Sequence, residues 1–171
     1  MPRRSLEAEI GQTRPFRSLR QAAVAGLLRT AGVVSREFER VVRAEDLSFA
    51  QYNVLRILRG AGAAGLPTMD IRDRMLEPAA GITRLLDKLE AAGHVRRERP
   101  AADRREVRVH ATALGLDLLR RLDSAMDRAD EEALAALTPG ELRQLMTLLD
   151  RVRARHAGPT EPARPKRRAG R

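Results

Sequence analysis

The spacing of apolar residues changes sharply near residue 94, from the period of a helix to that of a strand. In PAAGITRLLDKLEAAG (78–93), four apolar residues share one helical face: Ile82, Leu85, Leu86 and Leu89. In RERPAADRREVRVHAT (97–112), charged and apolar residues alternate on either side of a Pro-Ala-Ala-Asp turn. The change predicts an amphipathic helix followed directly by a β-hairpin.

The alternation within the hairpin also predicts which of its side chains are buried. Val107 and Val109 are expected to face a core. Their charged neighbours are expected to face solvent: Glu106, Arg108 and His110. Arg104 and Arg105 then project from the tip of the hairpin, beside the carboxylate of Asp103.

The residues before this unit are predicted to form three helices. A long helix spans about residues 16–42, after some fifteen polar residues that are expected to be flexible. Ser48 and Gln51 form a capping box that begins the second helix, and Gly60 is expected to end it. Thr68 is expected to cap a short third helix.

Further helix signals flank the hairpin. Pro78 at a first helical position begins the amphipathic helix, and Gly93 ends it. Thr112 caps a long helix that reaches about residue 137, and Thr138-Pro139-Gly140-Glu141 begins a last helix that reaches about residue 155. The segment 157–171 is rich in Pro, Gly, Ala and Arg and is expected to be a disordered basic tail.

The stretch GAGAAG (60–65) matches the G-x-G-x-x-G pattern of dinucleotide-binding loops. That pattern binds a pyrophosphate when it joins a strand to a helix that begins at once. Here it follows a helix, and Pro67 lies where the phosphate-binding helix should be running. We therefore predict a flexible loop and no nucleotide site.

The predicted order is long helix, helix, short helix, helix, two-stranded wing, long helix and helix. A helix-turn-helix with an appended hairpin is a winged helix. The expected fold is therefore mainly α with a small β wing, in which long helices flank a winged helix-turn-helix.

Composition and motifs argue against several other classes of protein. The chain has no cysteine, which excludes disulfides and thiol switches. It shows neither an apolar run of membrane-spanning length nor a signal-peptide pattern, so we expect a cytoplasmic protein. His94, His110 and His156 match no metal-binding spacing, and hydrolase and phosphate-loop motifs are missing. We therefore expect no enzyme, no metal and no cofactor.

The net charge of +10 lies almost entirely at the two ends of the chain. Residues 1–20 carry five arginines against two acidic residues, and residues 151–171 carry eight basic residues against one acidic residue. Residues 21–150 carry twenty of each sign. Within this neutral stretch, residues 94–110 hold six arginines against three acidic residues, so the wing is locally basic.

The exposed face of the helix at 78–93 suits insertion into a DNA major groove. Ala80 and Arg84 lie opposite the apolar stripe, and Thr83 and Lys88 lie on its flanks. Small residues permit close approach, Arg pairs with guanine, and Thr contacts thymine methyl groups or phosphates. An ordinary amphipathic helix shows the same pattern, so the helix alone does not indicate DNA binding. The wing provides a second signal, because its tip arginines are suited to a narrow minor groove. The helix and the wing together predict DNA binding.

Four segments in order resemble the MarR family of bacterial winged-helix regulators: LSFAQYNVLRIL, ITRLLDKLEAAGHVRR, the DRR of the wing and the ATALG that follows. The resemblance covers about residues 16–155. It implies an obligate homodimer, with a helical dimerisation region at 16–46 and 112–156 and a DNA-binding domain at 47–111. It also implies recognition helices in successive major grooves of a pseudo-palindromic operator, wings in the minor groove, and association with the nucleoid.

Carried over by position, Thr83 and Arg84 face the groove, Asp103 braces the wing and Arg105 enters the minor groove. The full set of residues expected at DNA is Ala79, Ala80, Thr83, Arg84, Lys88, Arg99, Asp103, Arg104 and Arg105. The segment EPAAG (77–81) departs from the family, in which Ser or Thr often begins this helix, so its two alanines offer only apolar contacts.

Many members of this family are released from DNA by a small aromatic or phenolic ligand. Phe16, Phe38, Phe49 and Tyr52 lie in or near the corresponding helices, although an aromatic residue on a helical stripe more often belongs to a core. The chain is therefore expected to be a ligand-responsive regulator, and a repressor rather than an activator. The residues leave one alternative open, a winged-helix dimer that serves as a protein-interaction module without specific DNA binding.

Overall fold

The structure, a computed structural model, describes residues 5–77, 81–99 and 106–156. In chain order its helices and strands are α1 Leu6–Ile10, α2 Leu19–Val42, α3 Phe49–Ala61, β1 Leu66–Pro67, α4 Thr68–Asp73, α5 Ile82–Ala91, β2 Val95–Glu98, β3 Arg108–Ala111, α6 Ala113–Leu134 and α7 Pro139–His156. The chain divides into two units, Met1–Ala133 and Leu134–Arg171. The second unit contains α7. The predicted tail, 157–171, lies outside the described residues.

The three strands form one antiparallel sheet in the order β1-β3-β2. Val95 pairs with Ala111 and Glu98 with Arg108, so β2 and β3 are the two arms of the predicted wing. Leu66 pairs with Val109 on the other side of β3. The sheet therefore ties the wing to the segment between α3 and α4.

One hydrophobic core joins α3, α5, α6 and the sheet. Its most deeply buried apolar side chains are Val42, Val54, Leu55, Leu58, Ile71, Leu86, Leu89, Val109, Leu118 and Leu119. The predicted apolar stripe of α5 is confirmed, because Ile82, Leu86 and Leu89 are buried and Leu85 is half-buried against the same core. Burying each of these side chains stabilises the fold by about 1.5–3 kcal/mol.

Three predicted helix caps are confirmed. Ser48 and Gln51 form the full capping box at the start of α3. The Thr112 hydroxyl accepts the Gly115 amide at 3.1 Å at the start of α6 and donates to the Gly93 carbonyl oxygen at 2.7 Å. The equivalent box at the start of α7 is also present. Each cap satisfies N–H groups that the first helical turn leaves without partners.

The amino-terminal segment, expected to be flexible, contains the short helix α1. The Ser5 hydroxyl accepts the Ala8 amide, and Gly11 ends the helix in the left-handed conformation at φ 66°. A second cap, Ser18, begins α2 at Leu19 rather than near residue 16. Both serines supply the side-chain acceptor that a helix start requires.

Two predicted helix starts were wrong. Thr68 is the first residue of α4 rather than its cap, and Pro67 precedes it without a side-chain cap. Gly81 has φ 103°, which is not helical, so α5 begins at Ile82 instead of Pro78. Pro78 itself lies outside the described residues.

The prediction that His110 faces solvent was also wrong, because Gly65, which directly precedes β1, lies against its ring. His110 is 9% exposed. A Cβ atom at position 65 would lie 2.6 Å from its imidazole ring, so only glycine leaves room for the ring. The stretch GAGAAG, predicted to be a flexible loop, instead ends α3 and forms a 3-10 turn, Gly62–Ala64, before β1.

Two helical glycines should respond in opposite ways to a methyl group. Gly115→Ala places a Cβ atom 2.3 Å from the His94 carbonyl oxygen, so we expect a loss of about 1–3 kcal/mol in the free energy of unfolding. In Gly60→Ala, in α3, the new Cβ atom meets no atom within 4 Å, so the free energy of unfolding should rise by up to about 1 kcal/mol. Urea denaturation at a fixed protein concentration measures both. A stabilised Gly115→Ala variant would contradict the close packing between the start of α6 and the residue that precedes β2.

Candidate DNA interface and adjoining cavity

The outer face of α5 carries the polar residues that the sequence placed there. Thr83, Arg84 and Lys88 are exposed, on the side opposite the buried stripe. Among the described residues, none forms an ion pair with Arg84 or Lys88. Both cations are therefore available to an external anion. Ala79 and Ala80, expected on the same face, lie outside the described residues.

The wing begins four residues after α5, so its arms emerge beside the exposed face of that helix. Arg99 follows β2 and is exposed. The three expected tip residues, Asp103, Arg104 and Arg105, lie outside the described residues.

Arg97 of β2 binds α5 rather than facing solvent as a free phosphate contact. Its guanidinium lies 2.7 Å from Asp87 and 2.7 Å from Glu90, and it also donates to the Thr83 carbonyl oxygen at 3.4 Å. The Arg97 backbone amide donates to Glu90 at 3.0 Å. With 26% of its side chain exposed, Arg97 holds the wing against the helix through charge-assisted hydrogen bonds.

Two other wing arginines also have partners within the protein. Arg96 pairs with Glu98, and the Arg96 hydrogen bond holds the pKa of that exposed carboxyl below its usual value. Arg108 pairs with Glu106 at 2.7 Å and donates to the Ala64 carbonyl oxygen at 3.0 Å. The sequence indicated a locally basic wing, and the structure shows that both of these arginines have partners within the protein.

A cavity of about 350 Å³ lies beside this unit. Its lining comes from α2, from the start of α3 and from the segment after α4: Ser35, Arg36 and Glu39; Ser48, Phe49, Ala50 and Asn53; Met75, Leu76 and Glu77. Its volume falls in the range of small-molecule sites in proteins.

Hydrogen bonds connect the walls of the cavity. Glu39 accepts the Phe49 amide at 2.7 Å and thereby joins α2 to the positive amino-terminal end of α3. Glu39 also pairs with Arg43 at 3.3 Å. The Ser35 hydroxyl donates to Glu77 at 3.3 Å, which connects α2 to the segment that leads into α5.

The structure brings together three of the four aromatic ligand candidates. Phe49 lines the cavity, and its ring stacks with Phe38 at 5.4 Å and with Tyr52 at 6.0 Å between centroids. Tyr52 is buried behind Phe49, and this burial raises the pKa of its hydroxyl. Phe16 is not among the cavity-lining residues.

Sequence reasoning missed Asn53 at the cavity and the bracing role of Arg97. Asn53 lies in α3 between the buried residues Tyr52 and Val54, and it is 2% exposed. A single polar residue between apolar residues of a helix does not indicate, from the sequence, whether it lies at a cavity. Arg97 gave a charge signal, but its partners lie on another element.

The described ranges contain neither a metal-binding cluster nor a membrane-spanning helix. Across residues 5–77, 81–99 and 106–156, no cluster of three or more His, Asp or Glu side chains is arranged to hold a metal ion. Over the same part of the chain, none of the helices has the length and apolar character needed to cross a membrane.

Known proteins with similar sequences and structures share this architecture. The MarR family profile matches residues 45–106. The HTH-type transcriptional regulator TtmR of Methylorubrum extorquens is 30% identical over 94% of this chain and 81% of its own length. A crystal structure of a MarR transcription factor from Planctomyces limnophilus is 38% identical, with a TM-score of 0.62 over 80% of this chain and 98% of its own. A MarR mutant from Escherichia coli complexed with operator DNA is 24% identical, with a TM-score of 0.68 over 74% and 89% of the two chains.

The similarity to TtmR reaches well beyond the winged helix that the family profile matches. The observed fold, helices around a small antiparallel sheet, is the fold that the sequence predicted. The chain belongs to the MarR family and is a DNA-binding transcriptional regulator.

Proposed function

We propose that the chain is a homodimeric repressor that binds a pseudo-palindromic operator and is released by a small ligand. It would act on the nucleoid, in the cytoplasm. The observation that carries this proposal is the exposed face of α5, with Thr83, Arg84 and Lys88 beside a wing that is fixed to the same helix. In this proposal α5 enters the major groove of each half-site, and half-sites are separated by one helical turn, about 10 bp.

Each side chain has a role that suits its chemistry. Arg84 donates two hydrogen bonds to guanine, Thr83 contacts a thymine methyl group or a phosphate, and Lys88 contacts a phosphate. Ala79 and Ala80 allow close apolar approach to the bases. At the tip of the wing, Arg105 enters the minor groove, with Asp103 to fix its direction and Arg99 and Arg104 to contact phosphates.

Exposed apolar side chains on the two terminal helices support a homodimer. In α2, Leu19 is 86% exposed and Leu28 is 68% exposed. In α7, Met146 is 65% exposed, and no residue of that helix is buried. A stable soluble chain seldom leaves such stripes in water, and a second copy is the usual cover.

The cavity supports ligand control because it shares a wall with the approach to α5. Glu77 lines the cavity and lies five residues before Ile82, the first residue of α5. A ligand that displaces the Ser35–Glu77 hydrogen bond would move this segment, and with it the helix that reads DNA. Such a ligand releases the protein from DNA only if it binds the free form of the protein more tightly than the DNA-bound form.

The Arg84→Ala variant should lose about 1–3 kcal/mol of operator affinity at one base position, because a bidentate contact to guanine is removed. Electrophoretic mobility shifts on inverted repeats from its own locus, with single-base substitutions, measure this loss. Arg120→Ala on α6 is the matched control and should bind normally, since Arg120 pairs with Asp117 on its own helix. A loss spread evenly over all sequences would make Arg84 a phosphate contact. A DNA affinity that does not change with salt concentration, together with no protected DNA segment in footprinting, would favour the protein-interaction alternative.

The Arg105→Ala variant should weaken operator binding and leave the dimer and its melting temperature nearly unchanged. A minor-groove arginine contributes to DNA binding without packing in the protein core. Sedimentation, thermal melting and titration at moderate salt together separate these effects. Unchanged affinity at moderate salt would contradict the role of the wing tip.

The Arg97→Met and Arg96→Met variants each remove one positive charge, from neighbouring positions of β2. They differ in the partner that is lost, because Arg96 pairs within its own strand and Arg97 pairs with α5. Arg97→Met leaves Asp87 and Glu90 on α5 without a cation, so we expect about fivefold weaker operator binding than for Arg96→Met. Amide hydrogen exchange in α5 should also accelerate in Arg97→Met alone. Equal effects of the two variants would mean that Arg97 contributes charge and no positioning.

A further inference from the structure

One arginine of the wing connects β3 to the turn that follows α3. Arg108, the first residue of β3, donates to the Ala64 carbonyl oxygen at 3.0 Å and lies 2.7 Å from the Glu106 carboxylate. Ala64 ends the 3-10 turn after α3, and Glu106 directly follows Arg105 in the chain. The contacts of Arg108 therefore reach from the helix-turn-helix to the residue that adjoins the wing tip.

Glu106 lies beyond the part of the chain that the sheet holds. In the described part of the wing, the pairing of β2 with β3 ends at Glu98 and Arg108, and residues 106 and 107 belong to neither strand. Because ladder hydrogen bonds end there, side-chain contacts decide the direction of the chain at Glu106. The structure shows such a contact in the ion pair between Glu106 and Arg108.

The Glu106–Arg108 pair is only partly exposed to solvent. The two side chains are 36% and 35% exposed, and the Glu106 Oε1 atom is buried. No described residue donates a hydrogen bond to that oxygen, so the ionic contact with Arg108 Nε balances its charge. Glu98, which lies opposite Arg108 in the sheet, pairs with Arg96 instead. A partly buried carboxylate is costly to leave without its cation, which favours one arrangement of the pair.

We propose that Glu106 and Arg108 are positioning residues for DNA binding, which hold the base of the wing tip in the direction from which Arg105 enters the minor groove. The inference rests on the proposed role of Arg105. It adds a second support to Asp103, the residue that the sequence assigned as the brace of the wing. Arg108 is then not a phosphate contact, because Glu106 and the Ala64 carbonyl oxygen already hold its guanidinium.

The sign of the effect at Glu106 distinguishes positioning from charge. The Glu106→Gln variant removes a negative charge from the wing, so electrostatics alone predicts tighter operator binding. Positioning predicts the opposite, a loss of about fivefold, since glutamine forms no ion pair with Arg108. Glu98→Gln removes an exposed carboxyl from the facing arm and is the matched control, which should bind at least as tightly as the parent. Parental or higher affinity of the full-length Glu106→Gln protein would overturn the proposal.

The preference for a narrow minor groove separates positioning from a general loss of stability. Hydroxyl-radical footprints of the parent and of Arg105→Ala locate the base pairs that the wing protects. Operators with A·T or with G·C at those positions then compare a narrow with a wider minor groove. Glu106→Gln should lose most of the parental preference for A·T, with a melting temperature close to that of the parent. Equal weakening on both operators, which leaves the preference intact, would overturn the proposal.

Combined variants separate this inference from the function on which it rests. Arg108→Met should weaken operator binding about fivefold in the parent and have little further effect in the Arg105→Ala background, because Arg108 acts through Arg105. An equal loss in both backgrounds would make Arg108 a direct phosphate contact; it would overturn the inference and leave the role of the wing tip standing. Parental affinity of Arg105→Ala would contradict both the minor-groove role and the inference.

Discussion

The position of α5 depends on the burial of its apolar stripe, and the other functional features depend on α5. Leu86 and Leu89 are completely buried in the core shared with α3, α6 and the sheet. Because a helix has fixed angular spacing, burial of these two residues forces Arg84 and Lys88 into solvent. The hydrophobic effect, which has no directional preference of its own, thus orients the polar face of α5 by burying the opposite face.

Charge in this protein serves structure as well as recognition. The total of +10 overstates what the winged helix can offer to DNA, because the excess positive charge lies at the two ends of the chain. Within the wing, Arg96, Arg97 and Arg108 all pair with carboxylates of the same unit. Arg97 matters most, since its partners Asp87 and Glu90 lie on α5. The guanidinium of Arg97 on the neighbouring strand neutralises these two carboxylates, and the same contacts hold the wing against the helix.

The cavity and α5 are connected by a short segment of the chain. Met75, Leu76 and Glu77 line the cavity and lead directly towards Gly81 and α5. In the mechanism that we propose, a molecule bound there acts on this segment rather than on the core and shifts the helix without unfolding it.

The sequence by itself determined the features that depend on interactions between residues close together in the chain. The caps at Ser48, Thr112 and Thr138 join groups three residues apart, and the stripe of α5 follows from the helical period, so local chemistry predicted the winged helix and its exposed face. Only the tertiary structure decided the strand β1, the burial of His110, the partners of Arg97 and the position of Asn53 at the cavity. These depend on contacts between separate elements: Leu66 meets Val109, and Arg97 meets Asp87 across the turn that begins the wing. Such contacts leave no period in the sequence, because packing rather than local propensity selects them.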